Sequence, residues 1–377
     1  MTKQILILGA GFGGLELSHR LSTEVADEVQ VTLIDKNEAF RFGFSKFDLM
    51  FGRASMSDVN LYYRDLVKPS VEFRQETVTS IDAASKRVTT NAGTYNPDIL
   101  VVALGADYDF DSTPGFSEGG HEFYSFDGAA ALKDVLADFS SGSIVIGILG
   151  QPYKCPPAPC EAAMLLHEYL GERGIRSDVD VSLISQWPVP VPPSPDGSKA
   201  IVARFEELGI NYVTNTEITS LDPDRKVALT SDGEEIPYGL FLGIPVHRVP
   251  DVVEASGMAE GGWIPVDEKN LSTRFPGVYA VGDVTSAPAP KAGVFAESEA
   301  RAVAEHLIAE IRGEGTPVPF QGAGICYVEF GDNLVGKVNA NFLPGQPPTA
   351  PWDEASEDYV AEKAQFGAER KERWFSA

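Results

Sequence analysis

The stretch Gln4-Ile-Leu-Ile-Leu-Gly-Ala-Gly-Phe-Gly-Gly14 decides the fold. Its unbroken apolar run reads as a strand buried on both faces, as in a parallel sheet. Gly9, Gly11 and Gly14 then fall at G-x-G-x-x-G spacing. The first glycine allows a tight turn, the second lets the backbone approach a pyrophosphate, and the third lets the next helix pack on the strand. Leu15, Leu17 and Leu21 mark that helix, and Val29–Ile34 reads as a second strand ending on Asp35. Asp35 stands 21 residues after Gly14, where it can accept a ribose hydroxyl. Strand, glycines, helix, strand and acid in register define a dinucleotide site. The pyrophosphate lies on the helix N-terminus, where free N–H groups and the dipole favour anions.

Working outward, residues 40–75 are aromatic and irregular, and 78–104 hold short strands that end in Ile99-Leu-Val-Val-Ala-Leu-Gly105. A second β-α-β unit begins at Ser143–Leu149, with a helix over about 159–170 and a strand at Val179–Ile184. Prolines between 188 and 195 form a loop, and residues 201–246 alternate helix and strand. Gly277–Asp283 reads as another buried strand, followed by a helix over about 292–311, turn-rich strands to about 343, a proline-rich stretch and a last helix over about 357–374. The second unit has no glycine fingerprint. Leu149-Gly150 continues as Gln-Pro-Tyr-Lys-Cys155-Pro-Pro-Ala-Pro-Cys160-Glu161, and its second strand ends in Ser185-Gln186, not an acid. Both requirements for a nicotinamide dinucleotide are missing, so this unit is expected to keep the fold without the ligand.

The chain has 377 residues, enough for two or three domains. Its 55 acidic against 30 basic residues give a net charge of −25, which opposes binding to nucleic acid and to anionic lipid. No apolar run reaches membrane-spanning length. A strand begins almost at Met1 with no leader pattern before it, so a cytoplasmic protein is expected. Three cysteines are too few for a disulfide scaffold. Pro159 suits the first helical position, which sets Cys155 and Cys160 near a helix N-terminus, where the dipole favours thiolate. The plainer alternative is a pair of small buried hydrophobes. Cys-x4-Cys without further Cys or His is a poor zinc pattern, and no metal is expected.

Gly277-Val-Tyr-Ala-Val-Gly-Asp283 resembles the second FAD signature of the two-dinucleotide-binding-domain flavoproteins. In those proteins the aspartate binds the ribityl chain and the diphosphate. Tyr95–Gly105 resembles their segment connecting the two domains, with Leu104 where a threonine is usual. The resemblance assigns to non-covalent FAD the residues Gly9, Gly11, Phe12, Gly13 and Gly14, then Asp35, Lys36, Arg41 and Val78, then Ala103, Leu104, Gly105, Gly282, Asp283, Lys291 and Gly293. Non-covalent binding follows from Arg41–Ser45, which lacks the cysteine found there in covalently flavinylated relatives.

Cys155-Pro-Pro-Ala-Pro-Cys-Glu161 resembles the redox-cysteine segment of the sulfide:quinone oxidoreductases and of the flavocytochrome c sulfide dehydrogenase flavoprotein. Cys160 stands where an aromatic is usual, and Glu161 matches the glutamate near the flavin. Gly324-Ile-Cys326-Tyr-Val-Glu resembles the second redox-cysteine segment, and Pro290-Lys291-Ala-Gly293 resembles the stretch after the second FAD signature. Pro245-Val-His247-Arg-Val-Pro250 also resembles this group.

The resemblance implies an α/β chain of two Rossmann-like (glutathione-reductase-type) domains plus a small C-terminal region. The FAD domain spans 1–107 and 264–315, the second domain 108–263, and the C-terminal region 316–377. It implies a Cys155–Cys326 disulfide opened by hydrosulfide, with Cys155 becoming the thiolate that faces the flavin. Glu161 would move protons, and Lys291 would set positive charge near the reduced flavin. Cys160 could form a rival disulfide with Cys155, hold sulfane sulfur, or only pack. The expected partners are a small sulfur substrate and a quinone or soluble acceptor. A weak peripheral contact on the inner face of the cell membrane and a homodimer stay open. The competing readings are a type II NADH:quinone oxidoreductase, a flavoenzyme acting on persulfide, polysulfide or thiol, and a non-catalytic flavoprotein module.

Overall fold

The computed structural model describes residues 2–376. The first sheet is parallel and has five strands, in the order Val278–Ala280, Ile99–Val102, Lys3–Leu8, Val29–Asp35 and Val71–Gln75. Lys3–Leu8 lies at its centre, in register with Val29–Ile34 on one side and Ile99–Val102 on the other. Leu6, Ile7 and Leu8 are almost wholly shielded from water. Such burial stabilises by roughly 1.5–3 kcal/mol per side chain, which is why this strand carries no polar alternation. The helix Phe12–Glu24 packs on the helix Gly293–Arg312, which returns to this sheet from the far end of the chain.

The second sheet repeats the plan with four parallel strands, Ile210–Val213, Val179–Ile184, Gly142–Ile148 and Leu240–Ile244. Each parallel sheet is accompanied by a three-stranded antiparallel sheet, at 78–95 and 218–237. Asp107–Asp109 and Val246–Arg248 pair antiparallel and tie the two halves together where the chain crosses between them. The architecture is thus α/β with two Rossmann-like units. A third antiparallel sheet, Ala323–Gly331, Leu334–Asn341 and Trp352–Ser356, carries Cys326 and is followed by the helix Asp358–Phe375.

That last helix packs on the protein's own body. Trp374 is 1% exposed, and its Nε1 donates to Glu16 Oε2 at 2.8 Å. Glu16 and Glu297 are buried carboxylates that face Arg301 and Arg373, with Arg370 adding a third cation at Glu297. Burial pushes the Glu16 carboxyl up, but the Trp374 hydrogen bond and Arg301 hold it below the usual range. Losing one member of such a network leaves a buried charge unpaired, at a cost of about 3–5 kcal/mol. No helix among the described residues is long and apolar enough to cross a membrane.

Candidate active site

The glycine turn is built for close approach. A Cβ on Gly9 would lie 2.2 Å from the Ala103 carbonyl oxygen, and one on Gly14 would lie 1.9 Å from the Gly9 oxygen. These two glycines hold the turn from beneath. Gly11 meets nothing within 4 Å, so its open side faces a cavity of about 580 Å³. Phe12 packs edge-on against Phe40, Phe42 and Trp374 and occupies the space into which a Gly293 side chain would grow. Asp35 lies at the cavity edge, where Oδ2 accepts the Ala10 N–H at 2.8 Å and Oδ1 accepts the Asn37 N–H.

Gly13, Arg41, Ala103, Leu104 and Gly105 line the same cavity, as do Gly282, Asp283, Lys291 and Gly293. Lys36 and Val78 do not; Lys36 is exposed and Val78 packs on the core beneath the first sheet. Asp283 makes no side-chain hydrogen bond among the described residues, and burial raises its carboxyl against Lys154, Lys291 and Lys46. A cavity lined by a glycine turn at a helix N-terminus, with one half-buried carboxylate that has no hydrogen-bond partner, fits a flavin dinucleotide. When bound, FAD would supply a two-electron acceptor to this cavity, which the cysteines also line.

Cys155 and Cys326 both line this cavity. Cys155 precedes the helix Ala158–Glu172 and holds φ at +50°, a strained value for a non-glycine residue. Its N–H donates to the Lys291 carbonyl at 2.8 Å, which fixes the loop with the cysteine turned to the cavity. Cys326 enters from the strand Ala323–Gly331. None of the three cysteines is bonded to another in this structure. The helix begins one residue earlier than expected, which puts Pro159 at its second position and Cys160 inside its first turn. Cys160 is buried in the core and is absent from the cavity wall. Burial first and Glu161 second push the Cys160 thiol far up and Cys326 up to about 12; the Cys155 thiol is shifted in the same direction, although its side chain is open to the cavity.

Glu161 also lines the cavity. Its Oε1 accepts the Glu329 N–H at 3.0 Å, and burial raises its carboxyl to about 7 despite Lys363 nearby. Lys291 is tied down: Nζ donates to the Asp283 and Thr285 carbonyls at 2.9 and 3.0 Å, over the Trp263 ring. Burial lowers it to about 8. Sequence reading missed Lys46, Lys154, Tyr124, Lys363 and Phe366, which reach the wall from distant elements. It also missed Glu299, which accepts the Gly282 N–H at 2.6 Å and steadies the second glycine turn. Only the length of the 293–312 helix, which carries Glu299 back to that turn, signalled such a contact.

Fold and cavity define a flavoprotein with two dinucleotide-type domains. The chain belongs to the pyridine nucleotide-disulphide oxidoreductase family, which matches residues 3–302, and it is an FAD-dependent oxidoreductase. It is 26% identical over 359 residues to a sulfide-quinone reductase of Aquifex aeolicus, spanning 88% of this chain and 82% of that protein. It is 25% identical over 342 residues to a type II NADH:quinone oxidoreductase of Staphylococcus aureus, spanning 83% and 84%. The solved sulfide:quinone oxidoreductase of Aquifex aeolicus superposes with a TM-score of 0.87 at 23% identity, over 100% of this chain and 93% of that one, and shares the fold.

Proposed function

We infer that the protein oxidises sulfide through a Cys155–Cys326 redox pair and passes the electrons through FAD to a quinone. The observation that carries this reading is the pair itself: two cysteines from separate elements share one cavity with the FAD glycine turn. In the oxidised form, hydrosulfide attacks one sulfur of the disulfide. The S–S bond breaks, a persulfide forms on one cysteine and a thiolate is left on the other. A second sulfide or thiol removes the sulfane sulfur. Glu161, with its carboxyl near 7, accepts or donates the accompanying proton at Oε2. Lys291 fixes the Asp283 turn and the Cys155 loop, and its charge supports a reduced, anionic cofactor.

Quinone as acceptor is supported by the cavity mouth, where Ile325, Tyr327 and Phe366 also line an adjoining groove with Val318. Ile325 and Val318 are exposed apolar side chains, a suitable place for weak peripheral contact with the inner face of a membrane. Cell fractionation and light scattering test that location and a homodimer. The NADH reading loses support at the second unit. There Gly150 is followed by the Cys155 loop, and no further glycine occurs before the helix Ala158–Glu172, so the glycine turn of the first unit has no counterpart. Anaerobic titration of the purified flavoprotein with sulfide, NADH and a low-molecular-weight thiol separates the readings. Bleaching of the flavin band by sulfide is expected. Bleaching by NADH alone identifies the rival, and bleaching by thiol alone identifies another sulfur-redox activity.

A further inference from the structure

Ala10, inside the glycine turn, is held at both of its backbone polar groups. Its N–H donates to Asp35 Oδ2 at 2.8 Å, and its carbonyl accepts the Tyr63 hydroxyl at 2.7 Å. A trans peptide points its C=O and N–H in opposite directions, so a hold on the Ala10 carbonyl also aims the Gly11 N–H. That N–H has no hydrogen-bond partner among the described residues. Sterics do not fix this peptide. Gly11 is extended, and a Cβ on it would meet nothing within 4 Å. Glycine's wide choice of φ lets the preceding peptide turn over at little cost. The turned-over form would set the Ala10 carbonyl, a partial negative charge, toward the open side where an anion is to lie. A donor on that carbonyl separates the two forms.

Tyr63 is built to be that donor. It is 3% exposed, and burial keeps its hydroxyl protonated. It opens the short 3-10 turn Tyr63–Asp65, and its N–H donates to the Glu38 carbonyl at 3.0 Å. Its ring stacks on Phe73 and on Phe375, with centroids 4.5 and 6.4 Å apart. Phe375 closes the helix Asp358–Phe375, next to Trp374, which packs on Phe12 at the same glycine turn. Lys68 Nζ donates to the following carbonyl, that of Ser376. The last helix thus backs the hydroxyl that holds the turn. We propose that Tyr63, backed by Phe375, is a positioning residue for the cofactor: it holds the Ala10–Gly11 peptide with its N–H toward the FAD diphosphate. The inference rests on the diphosphate lying at the Gly9–Gly14 turn and does not depend on the sulfide reading.

The test uses the FAD-loaded protein and the variants Tyr63→Phe and Phe375→Leu. Tyr63→Phe removes the hydroxyl and leaves the ring stack. FAD release, read as the rise in flavin fluorescence after dilution, should be about tenfold faster in Tyr63→Phe, the effect of one lost hydrogen bond. Phe375→Leu should speed it in the same direction by less. The phosphorus NMR spectrum of bound FAD separates positioning from general loosening. The diphosphate resonances of the unaltered protein should stand apart from those of free FAD. Tyr63→Phe should move at least one of them toward the free position while the visible flavin band keeps its shape. Release at the wild-type rate in Tyr63→Phe overturns the proposal, as does faster release with the phosphorus resonances unmoved. If Tyr63→Phe retains no FAD, the half-buried Phe375 decides, and unmoved resonances in Phe375→Leu overturn the proposal. Resonances of the unaltered protein that coincide with those of free FAD overturn the placement of the diphosphate on this turn, and the proposal with it. None of these measurements uses sulfide, so failure of the sulfide reading shows separately, as absence of bleaching.

Discussion

Glu161→Gln exchanges a buried titrating carboxyl for a neutral amide of nearly the same shape. The amide oxygen can still accept the Glu329 N–H that Oε1 accepts at 3.0 Å. Burial lifts Glu161 from 4.5 to about 7, with Lys363 pulling down and Glu329 pushing up. At roughly 1.4 kcal/mol per pH unit, that displacement corresponds to ~3 kcal/mol. Between these two pH values the unfolded chain has lost a proton that the folded protein keeps. The stability is therefore fully present below about pH 4.5, falls as pH rises, and is lost once pH passes about 7. The glutamine variant has no such loss. Urea midpoints of the two proteins should coincide near about pH 5 and diverge by about pH 8, with Glu161→Gln the more stable by up to ~3 kcal/mol. A gap between the two proteins that is the same at both pH values refutes a carboxyl poised near neutrality.

Gly14→Ala should abolish flavin retention, because the new methyl lies 1.9 Å from the Gly9 carbonyl; the flavin-to-protein absorbance ratio checks it. Cys160→Ser should keep the wild-type rate of sulfide bleaching and lose about 1–3 kcal/mol of stability, since it places an ill-matched hydroxyl in the core. Trp374→Ala should cost about 3–5 kcal/mol and expose the last helix to limited proteolysis, because it opens a cavity and strips a donor from buried Glu16.

The first Rossmann unit was legible because its constraints are local. Gly9 to Gly14, the run at 5–8 and Asp35 sit within 35 residues, each dictated by backbone geometry or the ligand. The second unit was legible by the absence of the same pattern. The strand Val71–Gln75 escaped notice because it is the edge of its sheet, and its half-exposed VEFRQ run carries no buried signature. Trp352–Ser356 was hidden behind prolines for the same reason. The site was read in part. Cys155, Glu161 and Cys326 stand in recognisable contexts, but Lys46 and Lys363 reach the cavity only through tertiary packing, and nothing in their neighbours marks them. The burial of Cys160, which raises its thiol, could not be read from its place near a helix start.

In the proposed function, electrons enter FAD through the two cavity cysteines. Anaerobic mixing of sulfide with the wild-type flavoprotein and with Cys155→Ser and Cys326→Ser, each holding normal flavin, tests it most directly. The flavin band should bleach rapidly in the wild type and persist in both variants. Bleaching of both variants at the wild-type rate would contradict it.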